Sequence, residues 1–449
     1  MNLSLKGTEI SLEQLLAARE ERMLLQQRCL QQYGQTVLSV TLLACGAVKK
    51  NSLLDHLFAK CLAHLTALFS QLSLKPTEEF IRPLETGHEA LFVLPIDAKT
   101  LKQAVISLEE SSPLARLWDI DVIDSTGKLL SRSEFGFNAR PCLLCSDDAK
   151  QCARSRKHAI GDILAEMQQR VLADEIAERV SEALLEEAYL TPKAGLVDRV
   201  SNGSHQDMDI HTFEASSYAL RPFFAQFVRK GIATSTLETS QILAQIRPLG
   251  LQAEQAMLQA TGGVNTHKGA IFAFGLVCCA IGRLFAQQQP FTLEAICELV
   301  SQFTQGLTQE LQHYPENLPL TAGVKLFRQF GLTGARGEAE QGFPLVRMGY
   351  QWLKAQPQRA WQHQLHLLLL QLMAKNQDTN VVHRGGMAGL AFVQQTAKAL
   401  LADSQIYQDQ HYLEQKLHEF DLACIERHLS AGGSADLLAL TIFFYSFLL

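Results

Sequence analysis

Carboxylates that could bind a divalent cation recur along the chain at a spacing of two residues. Such pairs include Asp119 and Asp121, Asp207 and Asp209, and Glu338 and Glu340. In an extended segment this spacing points both carboxylates the same way, whereas on a helix it would splay them. Mg²⁺ is held by oxygen ligands and is usually shared with substrate phosphates. The pairs therefore predict metal-assisted chemistry on a phosphorylated ligand.

Polar segments that contain glycine, proline or charged residues separate the apolar helices in the second half of the chain. They span residues 191–199, 205–211, 263–269, 337–344, 378–386 and 432–437. Their basic residues could neutralise phosphates: Lys193, Arg199, Lys268, Arg336 and Arg384. Thr266 and Lys268 also open an apolar helix, and helix N-termini bind anions through free backbone N–H groups and the dipole. By themselves these segments predict a Mg²⁺-dependent enzyme that acts on a phosphorylated ligand.

Single segments also have purely structural interpretations. Ser434 followed by Asp436 is what a helix N-cap requires, and the Gly262-Gly263 pair suits a helix C-cap. Asp207 with Asp209 could form a solvated turn. The functional interpretation is favoured because several such segments coincide in one apolar helical region.

The Asp119/Asp121 pair lies in a β-rich run, Leu-Trp-Asp-Ile-Asp-Val-Ile at 117–123. On a strand, residues i and i+2 share a face, so both carboxylates point the same way while the apolar residues between them face the core. Such a pair is a common way to hold the Mg²⁺ ions of phosphoryl or nucleotidyl transfer. Arg116 upstream and Arg132 in the expected next strand would accompany it. Solvated aspartates on an edge strand are the structural alternative.

Three cysteines and a histidine follow within 17 residues: Cys142, Cys145, Cys152 and His158. Ligand type and number fit a small Zn²⁺ site. The alternative is a set of free thiols on a short helix. Redox chemistry at Cys142 and Cys145 is disfavoured because no thioredoxin-like βαβ context surrounds them.

The elements that must position these residues differ between the two halves. In the first 150 residues, β-rich runs at 36–43, 90–94 and 117–123 alternate with helical stretches near 11–32, 51–72 and 99–110, and a turn at 124–127 leads into an expected strand from residue 128. This half predicts an α+β domain with a small mixed sheet. From about residue 158 the apolar residues recur at helical spacing. That half predicts an all-α domain, with helices broken at Pro192, Pro222, Pro248, Pro315 and the Gly-Gly pairs.

Length and composition set the class of protein. At 449 residues the chain should form two or three domains. A formal net charge of -6 argues against a broad nucleic-acid surface. The first twenty residues carry charges throughout, so no export signal is expected, and the longest uncharged run of 14 residues is too short for a membrane span. We therefore expect a cytoplasmic protein whose ten cysteines are reduced or bind metal.

The second half resembles the triphosphoribosyl-dephospho-CoA synthase family over roughly residues 175–449. Four segments carry the resemblance: Gly-Val-Asn-Thr-His-Lys-Gly at 263–269, Gly-Glu-Ala-Glu-Gln-Gly-Phe-Pro at 337–344, Asp-Thr-Asn with His-Arg-Gly-Gly at 378–386, and Gly-Gly-Ser-Ala-Asp-Leu-Leu at 432–438. Ala194 and Ala431 depart from the family pattern, where proline is expected. Both changes affect turn stiffness rather than reactive groups.

That resemblance implies a glycosyl transfer. The ribose 2′-hydroxyl of 3′-dephospho-CoA would attack C1 of the ATP ribose and expel adenine, through an oxocarbenium-like transition state. Lys193, Lys268, Arg336 and Arg384 are assigned to phosphates. Asp207, Asp209, Glu338 and Glu340 are assigned to Mg²⁺ or to the general base. Further substrate contacts are expected at Arg199, Asn265, His267, Asp378, Asn380 and Ser434.

The first half resembles the citrate lyase holo-acyl-carrier-protein synthase family over about residues 8–170. The matching segments are Arg19-Glu-Glu-Arg22, Gly46-Ala-Val-Lys49, the run from Pro113 to Val122, Leu130-Ser-Arg132 and the segment that begins at Arg140. The resemblance implies transfer of a phosphoribosyl-dephospho-CoA unit to a carrier-protein serine with release of pyrophosphate. Asp119 and Asp121 would hold the metal. The phosphate candidates are Arg19, Arg22, Lys49, Arg116 and Arg132.

Together the two halves predict a bifunctional enzyme, with a transferase domain at 1–172 and a synthase domain at 173–449. Its partners would be ATP, 3′-dephospho-CoA and the apo-citrate lyase acyl carrier subunit. Three alternatives remain open: the same two steps serving malonate decarboxylase, a non-catalytic scaffold with a zinc knuckle, and a kinase. The sequence has no Gly-x₄-Gly-Lys-Ser/Thr loop, which argues against the kinase.

Overall fold

The computed structural model describes residues 3–315 and 320–449. The chain divides into two compact units, Met1–Asp174 and Glu175–Leu449. The first combines a small sheet with helices and the second is helical throughout its described residues. The expected fold class, an α+β region followed by an all-α region, is confirmed.

The sheet of the first unit has four strands in the order β2-β3-β1-β4. They are β1 (Thr36–Leu42), β2 (Glu78–Leu84), β3 (Gly87–Leu94) and β4 (Trp118–Ile123). All pairings are antiparallel, where a mixed sheet was expected. The sequence analysis missed β2 because this edge strand carries glutamates and a proline and is buried on one face only. The prediction of a strand after residue 128 is wrong. Leu129 makes a single bridge to Ile123, and a 3-10 turn begins at Arg132.

Five helices begin in the first unit: α1 (Leu12–Tyr33), α2 (Ser52–Gln71), α3 (Ala98–Glu110), α4 (Ala149–Ser155) and α5 (Ile160–Tyr189), the last of which runs past the unit boundary. Their starts are set by side-chain caps. Ser11 and Gln14 form a capping box, and the Asn51 side chain accepts a hydrogen bond from the backbone N–H of Leu54. Leu57, Leu65 and other apolar residues of α2 then pack with β1 and β3 into the core of this unit.

The second unit is built from α6 (Ile210–Ala233), α7 (Thr239–Ala260), α8 (Lys268–Ala286), α9 (Leu293–Phe303), α10 (Gln309–Gln312), α11 (Ala322–Phe330), α12 (Gly334–Glu340), α13 (Pro344–Lys354), α14 (Trp361–Lys375), α15 (Thr379–Ala402), α16 (Gln410–Glu426) and α17 (Gly432–Leu448). The expectation that Pro222 and Pro248 break helices is wrong, since they lie inside α6 and α7. A proline removes one backbone donor, but burial of the apolar face on both sides of it preserves the helix. The chain does turn sharply at Gly386 inside α15.

Helix α8 lies at the centre of the second unit. By length and composition alone it could cross a membrane, but 78% of its apolar window is buried inside the fold. It packs closely on α6 because glycines replace side chains at the crossing. A Cβ on Gly282 would lie 2.0 Å from the carbonyl oxygen of Val228, and one on Gly231 would lie 2.0 Å from that of Cys279. This close packing fixes the start of α8, where several of the expected site residues lie.

Candidate active sites

A cavity of about 820 Å³ in the second unit collects most of the polar segments identified in the sequence. The starts of α8, α11, α15 and α17 all contribute to its wall. Helix starts present free backbone N–H groups and the positive end of the helix dipole, which favour anions. The volume lies in the range of small-molecule sites. The expected site residues in this wall are Lys193, Asp207, Asn265, His267, Lys268, Arg336, Glu338, Asp378, Asn380 and Arg384.

The cations of the cavity differ in how far they are already neutralised. Lys268 forms an ion pair of 2.7 Å with Glu254, and both side chains belong to the wall. Arg384 is exposed and donates to the backbone oxygen of Ser204 at 3.0 Å. Burial lowers the pKa of the Arg336 guanidinium, and nearby Arg247 lowers it further. These three groups remain accessible to a phosphate from the cavity side.

Lys193 is different because its ammonium is almost completely buried and paired. The Nζ atom donates to a carboxylate oxygen and to the backbone oxygen of Glu187, both at 2.7 Å. The Lys193 side chain is 1% exposed and that of Glu187 is 6% exposed. Removing one member of such a pair leaves an uncompensated charge in a medium of low polarity. Lys193 therefore stabilises the floor of the cavity in this structure.

The Glu338/Glu340 pair is split by local secondary structure. Residues 334–340 form α12, so the two side chains diverge instead of pointing the same way. Glu338 belongs to the cavity wall, and burial raises its pKa. The Glu340 carboxylate lies outside the wall and accepts hydrogen bonds from the backbone N–H groups of Gly306 at 2.6 Å and Thr308 at 3.1 Å. The expectation of an extended turn here is wrong.

The Asp207/Asp209 pair is split in a similar way. Asp207 belongs to the cavity wall, with its Oδ1 atom 3.9 Å from Nδ1 of His205. Asp209 instead caps α6, and its carboxylate accepts hydrogen bonds from the backbone N–H and the hydroxyl of Thr212 at 2.9 Å and 2.8 Å. These bonds lower the pKa of Asp209. The structure therefore brings one carboxylate of each pair to the cavity.

Asp378 and Ser434 join two helix starts. Asp378 caps α15 and accepts hydrogen bonds from the backbone N–H and the hydroxyl of Ser434, at 2.8 Å and 3.0 Å. The hydroxyl of Ser434 also accepts from Asn376 at 3.1 Å. Ser434 is the third residue of α17 rather than its N-cap, which is Ala431. This network holds the α15 and α17 starts together at the cavity, but it occupies the polar atoms of both side chains.

Asp436 is a wall residue that the sequence analysis had treated only as part of a helix cap. It makes no hydrogen bond with any of the described residues, and it faces the first turn of α8. A Cβ on Gly269 would lie 2.0 Å from its Oδ2 atom, so a larger residue there would displace the Asp436 carboxylate. Burial raises the pKa of Asp436 well above its ordinary value, and the carboxylates of Glu187 and Asp378 raise it further. A carboxylate in this state is suited to accept a proton.

Two histidines beside the cavity are neutral. Burial lowers the pKa of His267 to about 3 and that of His205 to about 4, with Arg384 contributing at His205. His267 lies in a chain in which Thr266 donates to the Ser216 hydroxyl at 2.7 Å and Ser216 bonds to Nδ1 of His267 at 2.7 Å. Which atom donates in the bond between Ser216 and His267 depends on the tautomer of the imidazole. The Nε2 atom is buried and has no hydrogen-bond partner among the described residues.

One more expected site residue lies outside the cavity wall, and one residue of the wall was not expected. Arg199 is exposed, stacks over the ring of Tyr189 at 4.1 Å and does not belong to the cavity wall. Glu187, by contrast, is a wall residue that sequence reasoning missed. Its position in an amphipathic helix beside Glu186 is typical of a solvated charge.

In the first unit, β4 presents Asp119 and Asp121 on one face, as expected from the alternation. Trp118, Ile120 and Val122 are buried on the other face. Burial raises the pKa of Asp121, and the charge of Asp119 raises it further. Two carboxylates in this relation gain from a shared divalent cation, because the cation relieves their mutual repulsion.

A cluster of positive charge surrounds these aspartates, and part of it was not expected. Burial lowers the pKa of Arg116, followed by the charges of Arg140, Arg170 and Arg132. Arg140 forms an ion pair with buried Glu109 and lies 3.9 Å from Asp119. Buried Lys102 donates to the backbone oxygen of Ile120 at 3.4 Å, between the two aspartates in sequence. Lys102 gave no signal in the sequence, and Arg140 was noted only as the start of a segment that resembles the family.

The remaining phosphate candidates lie along α1, after β1 and after β4. Arg22 is held by Glu89 at 2.9 Å, a buried carboxylate that Arg82 also contacts at 3.1 Å. Arg132 forms an ion pair with Glu110. Lys49 donates to the backbone oxygen of Ala44 at 2.5 Å, and burial lowers its pKa, with a smaller effect from nearby Arg19. Arg19 itself is exposed.

The cysteine motif forms a compact cluster. The ligand atoms of Cys142, Cys145, Cys152 and His158 all lie within 4.8 Å of one another. Among residues 3–315 and 320–449, no other group of three or more histidine, cysteine, aspartate or glutamate side chains is placed in this way. The carboxylates of the second unit therefore do not form a preassembled metal cage.

Comparisons with known proteins agree with the division of the chain. Residues 10–174 match the family described as apo-citrate lyase phosphoribosyl-dephospho-CoA transferase. Residues 173–448 match the family described as ATP:dephospho-CoA triphosphoribosyl transferase. The chain is 59% identical to Protein CitXG of Haemophilus influenzae over 454 residues, covering 99% of this chain and 98% of that protein. It is 53% identical to the 2-(5''-triphosphoribosyl)-3'-dephosphocoenzyme-A synthase of Haemophilus ducreyi, over 68% of this chain and 99% of that protein. The Klebsiella pneumoniae synthase of the same name is 44% identical, over 61% of this chain and 91% of that protein.

Proposed function

Because this chain belongs to the apo-citrate lyase phosphoribosyl-dephospho-CoA transferase family in its first part and to the ATP:dephospho-CoA triphosphoribosyl transferase family in its second, we propose how its residues divide the two reactions. The protein is a bifunctional transferase that makes and attaches the prosthetic group of citrate lyase. Residues 1–172 form the transferase domain and residues 173–449 the synthase domain. The family of the first part names citrate lyase, which favours that system over malonate decarboxylase.

The synthase reaction takes place in the cavity of the second unit. ATP and 3′-dephospho-CoA yield 2′-(5″-triphosphoribosyl)-3′-dephospho-CoA and adenine. The observation that carries this assignment is the convergence of helix starts and basic side chains around a deep carboxylate without a protein partner. Lys268, Arg336 and Arg384 bind the phosphates. The backbone N–H groups at the helix starts add to their charge.

Asp436 is the general base of the synthase. Its raised pKa suits a group that must take the proton of the ribose 2′-hydroxyl as the new bond to C1 forms. Neutral His267 positions the start of α8 beside the site through its bond to Ser216. Asp378, Ser434 and Lys193 stabilise the wall, since their polar atoms are already bonded within the protein.

Magnesium fits both sites by the chemistry of their donors. In the cavity, Asp207 and Glu338 are the carboxylates available to Mg²⁺, which is commonly held by one or two carboxylates and by substrate phosphates. On β4, Asp119 and Asp121 supply the same donor set. Bound there, the ion neutralises charge on the reacting phosphates.

The transfer reaction takes place at the Asp119/Asp121 face. The serine oxygen of the carrier attacks the α-phosphorus of the triphosphate, and pyrophosphate leaves. Arg116, Arg132 and Arg140 bind the phosphates beside the aspartates. Arg19 and Lys49 form a second, more distant basic patch that suits the rest of the nucleotide.

Adenine release tests the synthase assignment. The purified chain is incubated with ATP, Mg²⁺ and 3′-dephospho-CoA, and free adenine is measured by chromatography. We expect adenine only when both substrates are present. Asp436→Asn should lower the rate by about 10²–10⁴-fold, the usual contribution of a general base. Glu426→Gln, at an exposed carboxylate, is the matched control. Full activity of Asp436→Asn would show that Asp436 is not the general base. Formation of ADP instead of adenine would overturn the assignment of the synthase reaction.

A further inference from the structure

The Cys₃His cluster of the first unit has the dimensions of a zinc site. In a tetrahedral site with Zn–S of about 2.3 Å and Zn–N of about 2.0 Å, two sulfurs lie roughly 3.8 Å apart and a sulfur and a nitrogen roughly 3.5 Å apart. Here the sulfurs of Cys145 and Cys152 are 3.5 Å apart, and Nε2 of His158 is 3.3 Å from the Cys145 sulfur. These two distances are within a few tenths of an ångström of the tetrahedral values, and all four ligand atoms lie within 4.8 Å of one another.

The surroundings of the cluster compensate the negative charge that thiolates would bring. The backbone N–H groups of Leu144 and Cys145 form hydrogen bonds to the Cys142 sulfur. The Lys157 ammonium lies 3.8 Å from the Cys145 sulfur, while it also contacts Asp147 at 2.5 Å. Three thiolates around a dication carry one net negative charge, which these donors offset. Three neutral thiols carry no charge to offset.

The segment that carries the cluster is tied to the strand that carries the aspartates. The backbone oxygen of Pro141 accepts a hydrogen bond from Arg116 at 2.5 Å. Arg140 donates to the backbone oxygen of Trp118 at 3.1 Å, and its guanidinium reaches Glu109 and approaches Asp119. Residues 140–158 contain the short helix α4 and an isolated bridge between Pro141 and Asp148, so the cluster would add a restraint to a segment with little secondary structure.

We propose that Cys142, Cys145, Cys152 and His158 bind one structural Zn²⁺ that holds Arg140 in place beside Asp119. Binding displaces three thiol protons, and His158 coordinates as a neutral imidazole through Nε2. Four protein ligands complete a tetrahedral zinc site and leave no open position, so the ion does not take part in the chemistry. This role rests on the proposed transfer site at Asp119 and Asp121. The metal site itself does not depend on that assignment.

Metal content tests the site without any activity measurement. Elemental analysis of the full-length protein, purified without added metal, should give one zinc per chain. Cys145→Ser and Cys152→Ser should lose it, whereas Cys29→Ala removes a buried thiol outside the cluster and should retain it. Replacement by Co²⁺ should give the intense visible bands of tetrahedral thiolate coordination. Three results would each overturn the proposal. They are iron bound in place of zinc, thiol reagents that modify all three cysteines of the native protein, and a Cys145–Cys152 disulfide in the mass spectrum.

Activity then tests the positioning role. Because ligand variants of the first unit could fail to fold, zinc is also removed from the wild-type chain with a chelator and then restored, with Mg²⁺ present in excess during the assays. We expect attachment of the prosthetic group to the carrier to fall by about 10–100-fold, the range found for groups that support a metal or catalytic site, and to recover when Zn²⁺ is added. Adenine release should be unchanged. Attachment that is insensitive to zinc would overturn the positioning role, and loss of attachment in Asp119→Asn tests the transfer site separately.

Discussion

The two candidate sites differ in how they meet their substrates. In the first unit the aspartates lie on β4, an edge strand, and the Asp119 side chain is 62% exposed. In the second unit Asp436 lies deep in a cavity bounded by helix starts. An open face suits a carrier protein, whose serine must approach together with its own surface. A cavity suits two small substrates, because its walls exclude water while a glycosyl bond is exchanged.

The difference extends to what holds each site together. The open face combines exposed Asp119 with a largely buried ion pair between Arg140 and Glu109, and the cysteine cluster lies next to it. The cavity depends on buried polar groups that bond to one another, such as Lys193 with Glu187 and Asp378 with Ser434. Changes at exposed Asp119 should reduce catalysis with little loss of stability, whereas removal of Arg140 should also cost stability because it leaves buried Glu109 unpaired. Changes in the cavity wall should affect both.

The largest effect is expected from breaking the buried pair. Lys193→Met leaves the Glu187 carboxylate buried without a partner, close to Asp436. We expect the second unit to lose about 3–5 kcal/mol in its free energy of unfolding, measured by urea titration. The double variant Lys193→Met with Glu187→Leu should recover much of this loss. If the single variant is as stable as the wild type, the pair is not what holds the cavity floor.

A comparison of the two glutamates of α12 should separate catalysis from stability. Glu338→Gln should lower adenine release by about 100-fold, because it removes a carboxylate available to Mg²⁺ in the cavity wall. Glu340→Gln should keep the turnover of the folded enzyme but cost about 1–3 kcal/mol of stability, because its oxygens accept two backbone N–H groups. Steady-state kinetics and thermal unfolding on both proteins provide the test. The reverse pattern would place the magnesium on the other side of the helix.

Arg140 tests the open face. Arg140→Ala should reduce attachment of the prosthetic group by roughly 10–100-fold, since it removes a cation 3.9 Å from Asp119 and leaves Glu109 unpaired. Adenine release by the same protein should equal that of the wild type. Arg427→Ala, at an exposed ion pair of the second unit, is the matched control. A mass spectrum of the carrier subunit after timed incubation measures attachment, and equal rates for Arg140→Ala and wild type would contradict the role.

The smallest effect is a gain in stability from Asp436→Asn. A carboxyl whose pKa is raised in the folded state stabilises the fold at low pH, and this stabilisation is lost as the pH rises through the raised pKa. The asparagine of the variant does not titrate, so the variant keeps its stability as the pH rises. Its Tm at neutral pH should exceed that of the wild type by about 2–4 °C, the shift that a 1 kcal/mol change in the free energy of unfolding produces in a unit of this size. Near pH 4 the two proteins should melt alike. A lower Tm for the variant at neutral pH would mean that the carboxylate is held by favourable contacts.

Local patterns were sufficient for the features that depend on neighbours in sequence. The alternation at 117–123 predicted which side of β4 carries Asp119 and Asp121. The spacing of Cys142, Cys145, Cys152 and His158 predicted a cluster that the structure assembles. The helical stretches expected near 11–32, 51–72 and 99–110 match α1, α2 and α3 to within a few residues. The families followed from motifs long enough to be specific.

The errors arose where a residue's role depended on distant parts of the chain. Whether Glu340 or Glu338 faces the cavity depends on a short helix that forms only where α12 packs against α9 and α8. Asp209 and Ser434 look like site residues in the sequence, but each is bonded to a helix start. Asp436 lies next to Gly269 although 167 positions separate them in sequence, and no local pattern records that proximity.

The sequence by itself determined the two families, the order of the domains, the strand-borne aspartate pair and the ligand spacing of the cysteine cluster, because these depend on short-range chemistry and backbone periodicity. Only the tertiary structure decided which carboxylates reach the cavity and which charges are neutralised before any substrate binds. The physical reason is that both outcomes depend on burial. Burial is a property of the packed helices together, and it converts Lys193 into a structural ion and Asp436 into a carboxyl with a raised pKa.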